Sequence, residues 1–157
     1  MRTTTLLGAA LLAALGAAGC GDTECGEAPP GAIHRFIVTT KTGFNATDME
    51  INFCYLRKSA ESYMCFDLDN SGVDDFERYD VNSFACRPST PIAPGDLDRI
   101  KMLNAGGGFL ENNWDMRGLR VEAEEEGGER TLLFERWGYP TSVTLSRGEA
   151  YLPDCRY

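Results

Sequence analysis

Between Met49 and Glu77 the chain reads MEINFCYLRKSAESYMCFDLDNSGVDDFE, and two separate patterns in it select the same strand pairing. Ile51, Phe53 and Tyr55 alternate with Glu50, Asn52, Cys54 and Leu56, the period-two signature of a strand with one buried face. A turn over Lys58 to Glu61 sets Tyr55 opposite Met64, Phe53 opposite Phe66 and Ile51 opposite Leu68, so that one face is apolar throughout. The same register brings Cys54 opposite Cys65. A slip of one residue would turn the apolar side chains to the wrong face and part the thiols. The spacing therefore predicts a hairpin closed by a Cys54–Cys65 disulfide, in a loop whose closure is worth about 2–3 kcal/mol.

Residues 1–19 are not read as fold. Arg2 precedes an apolar run from Leu6 to Ala18, and small residues lead to Cys20, which is the layout of a secretory signal. The run is too short to span a bilayer. Ala17, Ala18, Gly19 and Cys20 resemble the lipobox of bacterial lipoproteins, with Ala17 where that pattern prefers Leu. The resemblance implies that Cys20 carries lipid and forms the mature amino terminus. It further implies a place in the bacterial cell envelope, and at the outer membrane because Gly21 is not the Asp that retains such proteins at the inner one. The alternative is plain secretion with cleavage near Ala18, leaving Cys20 as one more thiol.

Export fits the remaining cysteines. Cys25, Cys54, Cys65, Cys86 and Cys155 form no CxxC pair and have no neighbouring histidine, so zinc spacing is absent and disulfides are the expected use. The pairing of Cys25, Cys86 and Cys155 is open at this stage. Charge narrows the partners: the whole chain carries a formal −9, and the leader holds one basic residue and no acid. Such a surface repels nucleic-acid phosphates, which excludes nucleic acid as a partner.

Residues 20–31 read as a lipidated cysteine and a flexible tether, rich in Gly, Pro and acid, and residues 32–157 as one domain. Ile33 to Thr40 is a first strand with Phe36 and Val38 inward. Glu77 to Phe84 is a strand candidate carrying Tyr79 and Val81. Leu97 to Leu103 is another, as are Thr141 to Leu145 and Ala150 to Leu152. Leu119, Val121 and Ala123 lead through the Glu126–Glu129 turn to Thr131–Trp137, with Leu132 expected opposite Ala123 and Phe134 opposite Val121. No stretch shows a helical stripe. Many short strands between turns indicate an all-β sandwich or barrel.

Four patches, in order, resemble the PLAT/LH2 family of β-sandwich domains found beside lipoxygenase and lipase catalytic domains. They are Val38 with Lys41-Thr42-Gly43 and Ala46-Thr47-Asp48 leading to Ile51 and Phe53; the acidic turn to Asp74 and Phe76; Trp114 before Leu119 and Val121; and Phe134, Arg136 and Trp137. The resemblance covers roughly residues 33–137. It implies an antiparallel β-sandwich of about eight strands and contact with lipid or protein through the end loops, and it permits calcium there. Three departures fall on the loops: Gly72 is displaced by one, the family's cysteine near the final Arg-Trp is missing, and Gly106 to Gly108 replace a D-N-x-G turn.

Asp67, Asp69, Ser71 and Asp75 have the D-x-D-x-S spacing of a calcium loop, because hard oxygens at alternate positions of a tight turn can face one centre. Arg78 stands where an EF-hand has its bidentate Glu, so an EF-hand is excluded, and a solvated acidic turn is the plain alternative. Phe109 and Leu110, beyond the glycines, are the expected lipid or protein contact. Catalysis finds no support in the sequence: His34, the single histidine, lies in a strand with no partner set. The expected function is a membrane-anchored, noncatalytic binding module of the cell envelope, contacting lipid or protein through its end loops, with or without calcium at those four residues; the alternative is an envelope spacer with no specific ligand.

Overall fold

The computed structural model describes residues 24–44, 50–70, 74–106, 114–138, 143–145, 150–152 and 156–157. Cys20, Ser71, Phe109 and Leu110 lie outside them. The described residues form ten strands: β1 Glu24–Cys25, β2 Ile33–Thr42, β3 Ile51–Arg57, β4 Met64–Asp67, β5 Val81–Cys86, β6 Leu97–Asn104, β7 Trp114–Glu125, β8 Arg130–Trp137, β9 Val143–Leu145 and β10 Ala150–Tyr151. No helix occurs among the described residues. A six-stranded sheet runs β1-β8-β7-β2-β5 with β9 on β7, a four-stranded sheet runs β10-β6-β3-β4, and all pairings are antiparallel. The expected sandwich is therefore the fold, with ten strands among the described residues where about eight were expected; β1, of two residues, is the strand the sequence did not announce.

Alternation explains the core. Phe36 and Val38 of β2 point inward and are fully buried, and across the sandwich Phe36 meets Phe53 at 5.1 Å edge-on and Tyr55 at 5.3 Å. These are separations at which aromatic pairs attract beyond their buried area. β3 is buried on both faces at its start, since it is flanked by β4 and β6 and its outer face is capped by the disulfide. The hairpin has the expected register: Tyr55 opposite Met64, Cys54 opposite Cys65 and Phe53 opposite Phe66, with the Leu68 N–H donating to the Ile51 carbonyl at 2.8 Å. Cys54 and Cys65 are bonded.

Three local expectations are corrected. In the β7–β8 hairpin Phe134 does face Val121, but a bulge between Val121 and Glu122 shifts the rest, so Leu132 pairs Glu122 and Thr131 pairs Ala123. The extra residue lets Leu133 and Phe134, adjacent in sequence, both enter the core. At the tip Gly128 alone has positive φ, +83°, with the Glu125 N–H donating to the Glu129 carbonyl, a three-residue turn instead of a two-residue one. Next, β5 begins only at Val81, and its inward residues are Phe84 and Cys86 while Val81 is exposed. Phe76 and Tyr79 adopt φ of 63° and 68°, which belongs to turns and not to a strand. Finally, the end of the tether is docked: Glu24 pairs Glu135, Cys25 pairs Phe134, the Gly26 N–H donates to the Leu133 carbonyl, and Pro29 is buried. A Cβ on Gly26 would sit 1.7 Å from the Leu132 carbonyl oxygen, so only glycine permits this approach.

Candidate functional site

Strand order decides which loops meet. Thr42 ends β2 opposite Met116 near the start of β7, Ile51 starts β3 opposite Asn104 at the end of β6, Asn52 faces Asp67 at the end of β4, and Val81 starts β5 opposite Lys41. The described residues that adjoin these strand ends, 43–44, 50, 68–70, 74–80 and 105–106, thus lie at one end of the sandwich. This brings the acidic turn and the attachment points of the glycine loop together, a juxtaposition the sequence could not supply.

That end is assembled on a buried polar and aromatic platform. Trp114 is fully buried, its indole N–H donating to Thr42 Oγ1 at 3.1 Å, and Phe76 packs edge-on against it at 5.0 Å and on Phe84 at 5.4 Å. Asp115, nearly buried, accepts the Phe44 N–H on Oδ2 at 3.0 Å, while its carbonyl accepts the Gly43 N–H at 2.7 Å. A Cβ on Gly43 would lie 2.2 Å from that carboxylate, which is why the turn takes glycine. Sequence reading missed Asp115; the available signal was one acid in an otherwise apolar strand start, Trp114-Asp115-Met116.

Above the platform stand exposed apolar residues. Phe44, Tyr79 and Val81 are 53%, 57% and 60% exposed, and the Arg78 guanidinium lies 4.2 Å from the Phe44 ring centroid, within cation–π range. Tyr79 holds its left-handed backbone through its N–H donating to the Gly43 carbonyl at 3.1 Å, and the next residues through Thr42 N–H to Asp80 O at 2.9 Å. A non-glycine residue there costs about 1–3 kcal/mol and persists only where its surroundings over-determine it.

The calcium candidates separate into two groups. Asp75 is committed to the loop itself: Oδ2 accepts the Asn70 N–H at 2.5 Å, and Oδ1 accepts Asn70 Nδ2 at 2.9 Å and Asn82 Nδ2 at 3.0 Å. Asp67 and Asp69 are exposed, and the partial desolvation of the Asp67 carboxyl, then the charges of Glu50 and Asp69, raise it above its usual range. Among the described residues no group of three acid, histidine or cysteine side chains is placed to hold a metal. Glu50, unnoticed in the sequence, is the third charge of the cluster.

The far end differs. A cleft of about 350 Å³ lies between His34 and Arg35 on one strand, Arg87 and Pro88 after β5, and Glu124 and Glu126 at the β7 tip. Arg35 and Arg130 both bind Glu124, and the two guanidiniums, Arg35 first, hold its carboxyl below the usual range. His34 Nε2 is 4.0 Å from Glu126. Cys86 is free and buried, which pushes its thiol up to about 12. Cys25 is disulfide-bonded, with its partner outside the described residues.

No protein-family profile matches the chain and no curated protein matches it closely. The fold is similar to that in the solved structure of the alpha toxin from Clostridium absonum, with a TM-score of 0.65 and 19% identity over 78% of this chain and 31% of the toxin's. The chain thus spans about a third of the toxin's length, and at that identity the likeness shows the β-sandwich fold alone.

Proposed function

We propose that this chain is a membrane-anchored, noncatalytic binding module of the bacterial cell envelope, a PLAT/LH2-like sandwich on a lipoprotein that rests its Phe44–Tyr79 end on the bilayer. One observation carries the reading: the chain enters the sandwich heading from that same end. β1 runs antiparallel to β8, so Glu24 lies nearer than Cys25 to Trp137 and the Phe44 end. Three residues separate Cys20 from Glu24, so the four steps between them reach at most about 14 Å. Glu24 sits level with Glu135 and Arg120, four residues along β7 from Met116 and hence about 13 Å from the end. A lipid on Cys20 would therefore hold this end, with its exposed aromatics and Arg78, against the headgroups.

Aromatic rings beside a cation suit a bilayer interface, where the ring buries and the charge meets phosphate. Phe109 and Leu110, the apolar pair that follows Gly108 in the sequence, would add to the apolar contact. Calcium enters this reading as a charge partner for Glu50, Asp67 and Asp69, offsetting repulsion from anionic lipid, since the ligands are not gathered beforehand.

Two measurements test the reading. Cys20→Ala should move the protein out of the membrane fraction; unchanged fractionation removes the anchor. The Cys20→Ala variant should then sediment with anionic liposomes, more strongly with millimolar calcium. The binding should fall in Phe44→Ser/Tyr79→Ser and in Phe109→Ser/Leu110→Ser, and its calcium dependence should vanish in Asp67→Asn/Asp69→Asn. No liposome association by a folded protein, with or without calcium, leaves an envelope spacer as the better description.

A further inference from the structure

Among the described residues five strands stand at an edge, β1, β9 and β5 of one sheet and β10 and β4 of the other, and all but β5 are blunted; β9 is three residues long. β1 and β10 are two residues long, and β4 is four residues, ends on Asp67 and is tied to β3 by the disulfide. Short length and charge are the usual defences against edge pairing. β5 has none of them: VNSFAC is six residues without charge, proline or glycine.

The hydrogen-bond phase shows which groups it leaves open. Thr42 N–H donates to Asp80 O at 2.9 Å, so Thr42 and Asp80 form a bonded pair, and the alternation of an antiparallel ladder makes Thr40/Asn82, Val38/Phe84 and Phe36/Cys86 bonded pairs too. Lys41/Val81, Thr39/Ser83 and Ile37/Ala85 are then the non-bonded pairs, whose side chains approach more closely; the Thr39 and Ser83 hydroxyls do meet, at 3.3 Å. The N–H and C=O groups of Val81, Ser83 and Ala85 consequently point away from β2. Among the described residues no strand meets them, and the side chains of these residues are exposed, small and uncharged.

We propose that β5 pairs antiparallel with β5 of a second copy of this chain, about a two-fold axis at Ser83. In that register Ser83 faces Ser83 and Val81 faces Ala85, and the outward groups of each copy satisfy those of the other. The register is in phase with the ladder already formed with β2, no charged side chain lies in the paired span, and its one bulky residue, Phe84, is turned into the core. Charge selects the direction. Antiparallel pairing brings Arg87 of each copy beside Tyr79 and Asp80 of the other, whereas parallel pairing would set Arg87 against Arg87 and Asp80 against Asp80. A single strand pair buries less than the roughly 1,000 Å² of a stable interface, so the dimer is weak and forms at high local concentration. It does not depend on the membrane reading and is tested without a bilayer.

The full chain in detergent should show a monomer–dimer equilibrium by sedimentation as concentration rises. Opposed Cα atoms of a bonded antiparallel pair stand about 5.5 Å apart, within disulfide range. Ser83→Cys should therefore form a covalent dimer on mild oxidation, while Lys58→Cys, exposed at the far turn, should not. Ala85→Lys should abolish the equilibrium by charge, and Ala85→Pro by removing an outward donor without cutting a bond to β2. Crosslinking of Ser83→Cys no faster than of Lys58→Cys, in proteins with native melting curves, overturns the proposal. A wild-type chain that stays monomeric at the highest concentration overturns it as well, whether or not an added extended peptide binds the edge.

Discussion

The Phe44–Tyr79 end and the His34–Glu126 end of one sandwich are held by different forces. At the first, fully buried Trp114, buried Thr42 and the nearly buried Asp115 carboxylate fasten the turn from below. At the second, Arg35, Glu124 and Arg130 form a partly exposed ion network, and Ser59 is tied to Asp96 by exposed hydrogen bonds at 2.9 and 3.0 Å. Buried contacts ignore ionic strength; exposed ion pairs do not. The difference teaches that an end can afford strained, exposed aromatics when its platform is dry.

The comparison breaks first at Trp114. Trp114→Ala should lose about 3–5 kcal/mol in urea unfolding, whereas Glu124→Ala should cost far less and its effect should disappear in molar salt. Equal losses would erase the distinction between the ends. The cross-link comes next: Cys54→Ala/Cys65→Ala should cost about 2–3 kcal/mol by chain entropy, measured against the same protein under non-reducing conditions.

Tyr79 sharpens the comparison by separating stability from contact. Tyr79→Gly relieves a left-handed backbone and should stabilise by about 1 kcal/mol while weakening liposome binding, so that the two readouts move in opposite directions. A destabilised Tyr79→Gly would mean that the ring supports the fold. The smallest effect belongs to Asp67. Its carboxyl titrates higher in the folded chain than in the unfolded one, so its ionised form costs stability at neutral pH. The favourable share is present below the unfolded value and is lost as pH rises through the folded one. Asp67→Asn should therefore stabilise slightly at pH 7, and the gain should fade as pH drops through the carboxylate range.

The hairpin around Cys54 was readable because thiol spacing and apolar alternation constrain the same register. The β7–β8 register was half readable: Val121 and Phe134 pair as the alternation says, but the bulge that admits Leu133 has no mark in the sequence beyond two adjacent apolar residues. Tyr79 and Val81 misled because alternation alone cannot tell a strand from a turn held by tertiary bonds. Lipidation at Cys20 and contact through Phe109 and Leu110 fall outside the described residues. What no linear pattern could show is convergence, since the shared end of the loops and the chain entry beside β8 exist only through strand order.

Cys86 sets a schedule for folding. Unfolded, its thiol has an ordinary value near 8.5 and reacts with disulfides; folded, it is buried on the inner face of β5 and raised to about 12. In an oxidising compartment the docking of β5 onto β2 must therefore outrun thiol exchange. Slowing that docking should yield scrambled pairings involving Cys86 even though every native bridge remains possible. The thiol is a clock: its modification in refolding samples records how late β5 docks onto β2.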